Sequence, residues 1–273
     1  MERIQKAMDR AHRFAAEHAS TPDVAPAIVA ARAPELPGSA DTAVFRTPSM
    51  PVDQALFEHN RILLPGAPGE AGRAYKMLRT QVLRRLDQLG ANTLAVLSPK
   101  NGAGKTLTAI NLAIAIAAEE ARTALLIDFD LRNPGIHKQL GLGPEIGIED
   151  CIAGRIVVRE AMVKLAGYER LTVLPARHPI ESSSELLTDQ RTAAVVAELR
   201  SRYPNRILVF DIPPVLQADD ALAFTRNVQA GLMVVREGET RREDVVRSIE
   251  MLRDLKIIGT VLNASREAQA TGY

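Results

Sequence analysis

The stretch Leu94 to Leu107, LAVLSPKNGAGKTL, constrains this chain more than any other. A short apolar run, Thr93 to Leu97, leads into a loop with two glycines, Gly102 and Gly104. Lys105, Thr106 and a long aliphatic helix pattern (LTAINLAIAIAAEE) follow at once. Strand, glycine-containing loop, Lys-Thr and helix is the order in which a phosphate-binding P-loop is built. Backbone N–H groups at a helix start point at the phosphates, and glycines let the chain approach without a Cβ in the way. Lys105 is expected to reach the β- and γ-phosphates of ATP from an exposed loop, and the Thr106 hydroxyl to sit on Mg²⁺. Lys100, Asn101, Gly102, Ala103, Gly104, Lys105, Thr106 and Leu107 form the expected nucleotide cradle. The match to GxxxxGK[ST] is incomplete, because Pro99 stands where the first glycine belongs.

The 273 residues suffice for one sizeable α/β domain with appendages. A formal net charge of +1 gives no global signal for nucleic acid. Trp is absent and aromatics make up only 4%, while aliphatic residues are plentiful, which suits aliphatic strands covered by Ala/Leu helices better than an all-β module. Cys151 is the only cysteine, so no intrachain disulfide can form and a reducing compartment is expected. No apolar run approaches the roughly 18 residues that span a bilayer. The N-terminus (MERIQKAMDRAHRF) mixes acids and bases without an apolar h-region, so it does not read as a secretion signal. A soluble, cytoplasmic chain is the expectation.

Residues 1–19 carry Ile4, Ala7, Met8, Ala11 and Ala15 at helical spacing, the pattern of an amphipathic helix with a thin apolar face. Pro22, Pro26, Pro34, Pro37, Pro48 and Pro51 then punctuate a run of Ala, Ser, Thr and Asp. Residues 20–69 are expected to be a mostly disordered linker, with the core starting between residues 52 and 70 and residues 1–51 dispensable to it. The domain proper is expected over 70–265, opening with a helix from Gly72 to Leu89, and residues 266–273 form a polar tail. Strands at Thr93–Leu97, Thr123–Ile127, Leu171–Leu174, Arg206–Phe210, Leu232–Val235 and Ile257–Leu262 alternate with helices, which predicts a parallel sheet flanked by helices. The stretch from Gly141 to Arg159 reads as loop-rich.

Asp128 and Asp130 (LLIDFDLR) lie just past the carboxyl end of the second strand, where ligand crevices form in parallel sheets. Asp211 ends the apolar run RILVF, the Walker B position that holds Mg²⁺ directly or through water. Thr106, Asp128, Asp130 and Asp211 are expected to converge on one metal-bound phosphate group, with Thr106, Asp128 and Asp211 as metal ligands. Asn263, at the end of the last strand, is a candidate for the adenine edge or an ordinary strand-end turn residue.

The order SPKNGAGKT, LLIDFDLR, ILVFDIPP resembles the Walker A, A′ and B motifs of the bacterial tyrosine kinases (BY-kinases) of exopolysaccharide assembly. AYKMLRTQV resembles the helix before their catalytic core, and VLNAS their final strand; the resemblance covers about residues 70 to 265. It implies a P-loop NTPase fold of the MinD/ParA-like (SIMIBI) type and an ATP-dependent tyrosine autokinase. It further implies self-association and activation by the cytoplasmic tail of an inner-membrane polysaccharide co-polymerase (Wzz-like), which would recruit the chain to the inner face of the membrane. Lys105, Asp128, Asp130 and Asp211 carry over as catalytic residues.

Three features depart from that pattern. A C-terminal tyrosine cluster is reduced to Tyr273, the expected phosphoacceptor, while Tyr75, Tyr168 and Tyr203 are expected inside the core. The family's E-x-x-R-x-x-R helix motif becomes Arg73, Lys76, Arg79. Lys100 falls where MinD/ParA-type ATPases carry a lysine that reaches phosphates across a dimer; a solvated loop lysine is the alternative. A MinD/ParA-like ATPase switch that dimerises on ATP without phosphorylating protein is therefore the second reading, and a non-hydrolysing scaffold a third, opposed by intact Lys105, Thr106, Asp128 and Asp211. The iron-protein branch needs two cysteines per subunit and finds only Cys151.

Overall fold

The computed structural model describes residues 47–64, 66, 69–202, 205–217 and 219–265. The expected N-terminal helix, the linker up to residue 46, Tyr203 and the tail with Tyr273 lie outside the described residues. The strands are β1 (Ser49–Met50), β2 (Thr93–Leu97), β3 (Thr123–Asp128), β4 (Val163–Leu165), β5 (Leu171–Leu174), β6 (Arg206–Asp211), β7 (Ala230–Arg236) and β8 (Lys256–Asn263). The helices are α1 (Gln54–His59), α2 (Glu70–Leu89), α3 (Lys105–Ala117), α4 (Ile136–Leu140), α5 (Ile148–Ile152) and α6 (Val158–Ala161), then α7 (Ser183–Thr188), α8 (Gln190–Arg202), α9 (Asp220–Thr225) and α10 (Arg242–Met251).

One sheet runs β1-β4-β5-β3-β6-β2-β7-β8. From β5 to β8 all neighbours are parallel; β4 is antiparallel to β5, and β1 joins β4 in parallel. Successive strand residues point to opposite faces, so two cores form. Leu94, Val96, Leu126 and Val209 pack on one face with Val82 and Leu86 of α2 and Ile110 and Leu112 of α3. Ala95, Leu97, Leu125, Ile127, Leu208 and Phe210 pack on the other with Leu199 of α8 and Phe224 of α9. The central strands are buried on both faces, which is why they read as continuous apolar runs rather than alternating ones. Helix α3 is buried almost throughout, which accounts for its uninterrupted aliphatic sequence. No helix among the described residues is long and apolar enough to cross a membrane.

The register places the chemistry. Asp211 pairs with Val96 on one side and Asp128 on the other, so the carboxyl ends of β3, β6 and β2 stand side by side.

The expected linker is corrected by the structure from residue 47 onward. Ser49 and Met50 pair with Lys164 and Leu165, so the sheet already needs residues ahead of Val52. Asp53 caps α1 by accepting from the Leu56 N–H at 3.1 Å, and Phe57 is fully buried, 6.1 Å from the Tyr168 ring centroid. The next residues are strapped to α3 by Asn111, which accepts from the Leu63 N–H at 2.8 Å and donates to the Arg61 carbonyl at 3.0 Å. Pro48 and Pro51 flank an edge strand, where a missing N–H is tolerated. β1 and α1 are two and six residues long, too short to leave a periodic signature. The loop-rich interval also holds α5 and α6, each of a single turn or little more.

Truncating Phe57 to Ala should lower unfolding free energy by about 3–5 kcal/mol. A thermal melt reads this directly; an unchanged midpoint would mean that this segment does not belong to the core.

Candidate active site

β2 delivers the chain into the P-loop at Ser98. Pro99 fits where a glycine was expected because this part of the loop is pinned from the β6 side. The Ser98 and Pro99 carbonyls accept from the Val215 and Leu216 N–H groups at 2.9 and 3.1 Å. Further round, the carbonyls are turned into the protein by side chains. Ser98 Oγ donates to the Lys100 carbonyl at 2.9 Å, Arg236 Nη1 to Gly102 at 3.0 Å, and Asn263 Nδ2 to Ala103 at 2.8 Å. With carbonyls held back and the first-turn N–H groups of α3 lacking intrahelical partners, the loop is a built anion cradle. Gly104, at φ +85°, marks its tightest point: a Cβ there would meet Asn263 Nδ2 at 2.0 Å.

Lys105 is not on an exposed loop as expected. Its side chain is only 6% accessible, with Nζ 2.6 Å from Asp211 Oδ1 and 3.2 Å from Asp130 Oδ2. Burial alone would lower its pKa, but the Asp211 and Asp130 carboxylates outweigh that and raise it. Asp128 is fully buried and organises the loop after β3: Oδ1 accepts from the Asp130 N–H at 3.2 Å, and Oδ2 from Gly135 and Ile136 at 3.0 Å each. Burial, then the neighbouring Asp211, pushes its carboxyl well above the usual range. Asp130 is also raised by burial, against the pull of Lys105.

Three carboxylates thus face one ammonium in a dry site, an arrangement that calls for a further cation. Asp211 Oδ2 is buried and has no hydrogen-bond partner, so one acceptor stands ready for it. Thr106 lies against the loop carrying Asp128 and Asp130: a Cβ on Gly135 would sit 3.7 Å from its Oγ1. Among the described residues no cluster of His, Cys, Asp and Glu forms a complete metal cage.

The structure brings Lys105, Asp128, Asp130 and Asp211 together, with Thr106 beside them. Lys100 is directed elsewhere, its Nζ 2.7 Å from Asp244 Oδ2 in the first turn of α10, and 54% accessible. Asn263 reaches the P-loop and braces it: Nδ2 donates to the Ala103 carbonyl and Oδ1 accepts from the Ala264 N–H, which uses one of the two N–H groups and one of the two oxygen lone pairs of its amide. Tyr168 is buried, its hydroxyl donating to the Leu63 carbonyl at 2.9 Å, and burial pushes its pKa up to about 12. Tyr75 is half-buried, its pKa raised by burial, with its hydroxyl against Thr108 and Asn111. Arg236 and Asn111 were not singled out from sequence; Asn111 left one signal, an amide inside an apolar helix run.

Two predictions follow from this geometry. Gly104→Ala forces a displacement of the Asn263 side chain at a backbone angle that L residues rarely adopt. It should abolish ADP binding by titration calorimetry while the melting midpoint stays close to the parent's; retained binding would show that the cradle tolerates a wider loop. The second concerns pH. A carboxyl raised above its ordinary 3.8 holds more protons folded than unfolded, so stability falls as pH rises through that window. The melting midpoint of the nucleotide-free parent, relative to Asp128→Asn, should therefore decline as pH is raised from 3.8 upward. A difference constant with pH would mean that Asp128 titrates alike in the folded and unfolded chains.

Comparison with known proteins gives similarities over most of the chain. A family model described as ParA, NUBPL iron-transfer P-loop NTPase, matches residues 90–271. The tyrosine-protein kinase wzc of Salmonella typhi is 29% identical over 220 residues, which is 80% of this chain but only 30% of that protein. Tyrosine-protein kinase YwqD of Bacillus subtilis is 25% identical, over 73% of this chain and 83% of its own length. Among solved structures, the kinase domain of the Escherichia coli tyrosine kinase ETK superposes with a TM-score of 0.68 at 24% identity, covering 83% of this chain and 91% of that one.

Proposed function

The chain belongs to the ParA family of P-loop NTPases, and on that premise we propose that it is an ATP-dependent protein-tyrosine kinase serving exopolysaccharide polymerisation and export. The observation that carries this reading is the buried Lys105 ammonium held between Asp211 and Asp130 at the mouth of a preformed phosphate cradle. Relatives named as tyrosine kinases, aligned over most of this chain, support phosphoryl transfer to tyrosine as its chemistry.

With ATP in the cradle, Lys105 leaves the carboxylates for the β- and γ-phosphates, and its charge offsets that developing on the transferred group. Thr106, Asp128 and Asp211, the last with its unpartnered Oδ2, would hold Mg²⁺, which supplies charge neutralisation on the phosphate oxygens. The bond from the γ-phosphorus to its bridging oxygen breaks, ADP keeps the electron pair, and a bond forms to a tyrosine Oη. Asp130, with its raised pKa, is placed to take the phenolic proton. Tyr273 is the proposed acceptor, because Tyr75 and Tyr168 have engaged hydroxyls and Tyr273 closes a polar tail. Self-association and a co-polymerase tail at the inner membrane face belong to the same proposal.

Lys100 forms an exposed pair with Asp244 of its own chain, a contact too weak to decide against the ATPase switch in which that lysine crosses a dimer. Cys151 is buried and its thiol pKa is pushed up to about 12 by burial, which does not favour a cysteine-held iron cargo.

Purified protein given Mg·ATP, with and without a co-polymerase tail, should acquire phosphotyrosine, and Lys105→Ala should cut the rate about 10²–10³-fold. Tyr273→Phe should remove most of the label. ATP hydrolysis without any phosphotyrosine, tail included, would replace the kinase by the ATPase switch.

A further inference from the structure

Outside the lysine–aspartate cluster, one fully buried carboxylate has no part in the chemistry above. Asp220 opens α9, nine residues after Asp211, and has no accessible surface. Both of its oxygens accept from Arg132 Nε, at 3.1 and 3.0 Å, and Ser183 Oγ donates to Oδ2. Three segments meet on this one side chain: the loop after β3, the start of α7, and the segment that follows β6.

Arg132 lies two residues beyond Asp130, inside the turn that carries it. The turn is closed twice by the Asn133 N–H, which donates to the Asp130 carbonyl at 3.1 Å and to Asp130 Oδ1 at 3.2 Å. Leu131, between them, is buried and its carbonyl accepts from the Ile180 N–H at 2.8 Å. The direction in which Asp130 meets Lys105 is therefore set by a short turn whose outer end is anchored on Asp220. Anion recognition is a poor alternative for Arg132. Its side chain is 46% accessible, but Asp220 already balances it, Asp219 lies 3.9 Å away, and Glu185 adds a further negative charge nearby. An ion pair with one half-exposed partner is also weak as a stability device.

We infer that Asp220 is a positioning residue for phosphoryl transfer, acting through Arg132 on Asp130, with Ser183 fixing the carboxylate. The inference rests on the reading of Lys105 and Asp130 as the ATP-processing pair. Because it concerns their alignment, it applies to hydrolysis and to transfer alike.

The test uses the full chain with Mg·ATP and reads kcat and KM for both ATP hydrolysis and tyrosine phosphorylation, with melting and ADP affinity alongside. Asp220→Asn should lower kcat about 10–100-fold, the scale of a small misplacement of a reacting group. KM and ADP affinity should stay within about threefold, because the cradle is built from other segments. Arg132→Gln should match it, and the double variant should be no slower than the worse single one, as for residues acting as a unit. Ser183→Ala keeps the ion pair and should show a smaller fall in kcat with normal melting. Multiplicative losses in the double variant, an unchanged kcat in Asp220→Asn, or a parallel loss of kcat and ADP affinity would overturn the inference. If Asp220→Asn fails to fold, Ser183→Ala decides: an unchanged kcat there overturns it. A parent that hydrolyses ATP without phosphorylating tyrosine removes the kinase reading alone, because the cycle is still read on hydrolysis. A parent with neither activity overturns both.

Discussion

The structure depends on a single buried cation. Three aspartates at adjacent strand ends would repel one another and each resists desolvation, at a cost of several kcal/mol per ion. Two of them share the Lys105 ammonium at 2.6 and 3.2 Å. At an effective dielectric near 20 such a contact returns about 4 kcal/mol, so one lysine does not compensate three carboxylates. The imbalance appears in the raised Asp128 and Asp130 pKa values. Protons cover part of the deficit, and a divalent cation would cover it better.

The sheet order is what concentrates those charges. A parallel sheet puts every strand's carboxyl end on one edge, but only the order β3-β6-β2 makes the ends bearing Asp128, Asp211 and the P-loop immediate neighbours. The strands and the acids at their ends were legible in the residues; the order in which the strands lie side by side was not. Doubly buried strands are continuous apolar runs, an acid at the end of one is conspicuous, and glycines beside Lys-Thr have few other uses. The burial of Lys105 was not legible, because it follows from carboxylates supplied 25 and 106 residues away.

What stayed hidden shares a physical character. β1 and β4 have two and three residues and pair with each other and with β5 through backbone groups, so their side chains carry almost no pattern. Prolines at 48 and 51 signal a linker by composition, yet an edge strand accepts them. Asn111 adds to the β1 pairing and the buried Phe57 in docking that segment. An amide inside an aliphatic helix is costly unless both ends are satisfied, and here the Leu63 N–H and the Arg61 carbonyl satisfy it. Side-chain to backbone bonds over such separations have no local sequence signal.

The same kind of contact divides the site into two independently held halves. On the β7–β8 side, Arg236 and Asn263 hold the P-loop carbonyls. On the β3 side, Asp128 gathers the backbone N–H groups of Asp130, Gly135 and Ile136. Lys105 reaches from one half to the other, rooted in the first turn of α3 and ending on Asp130 and Asp211. A buried ammonium in that position makes a stronger link than an exposed side chain would, because water screens charges at the surface.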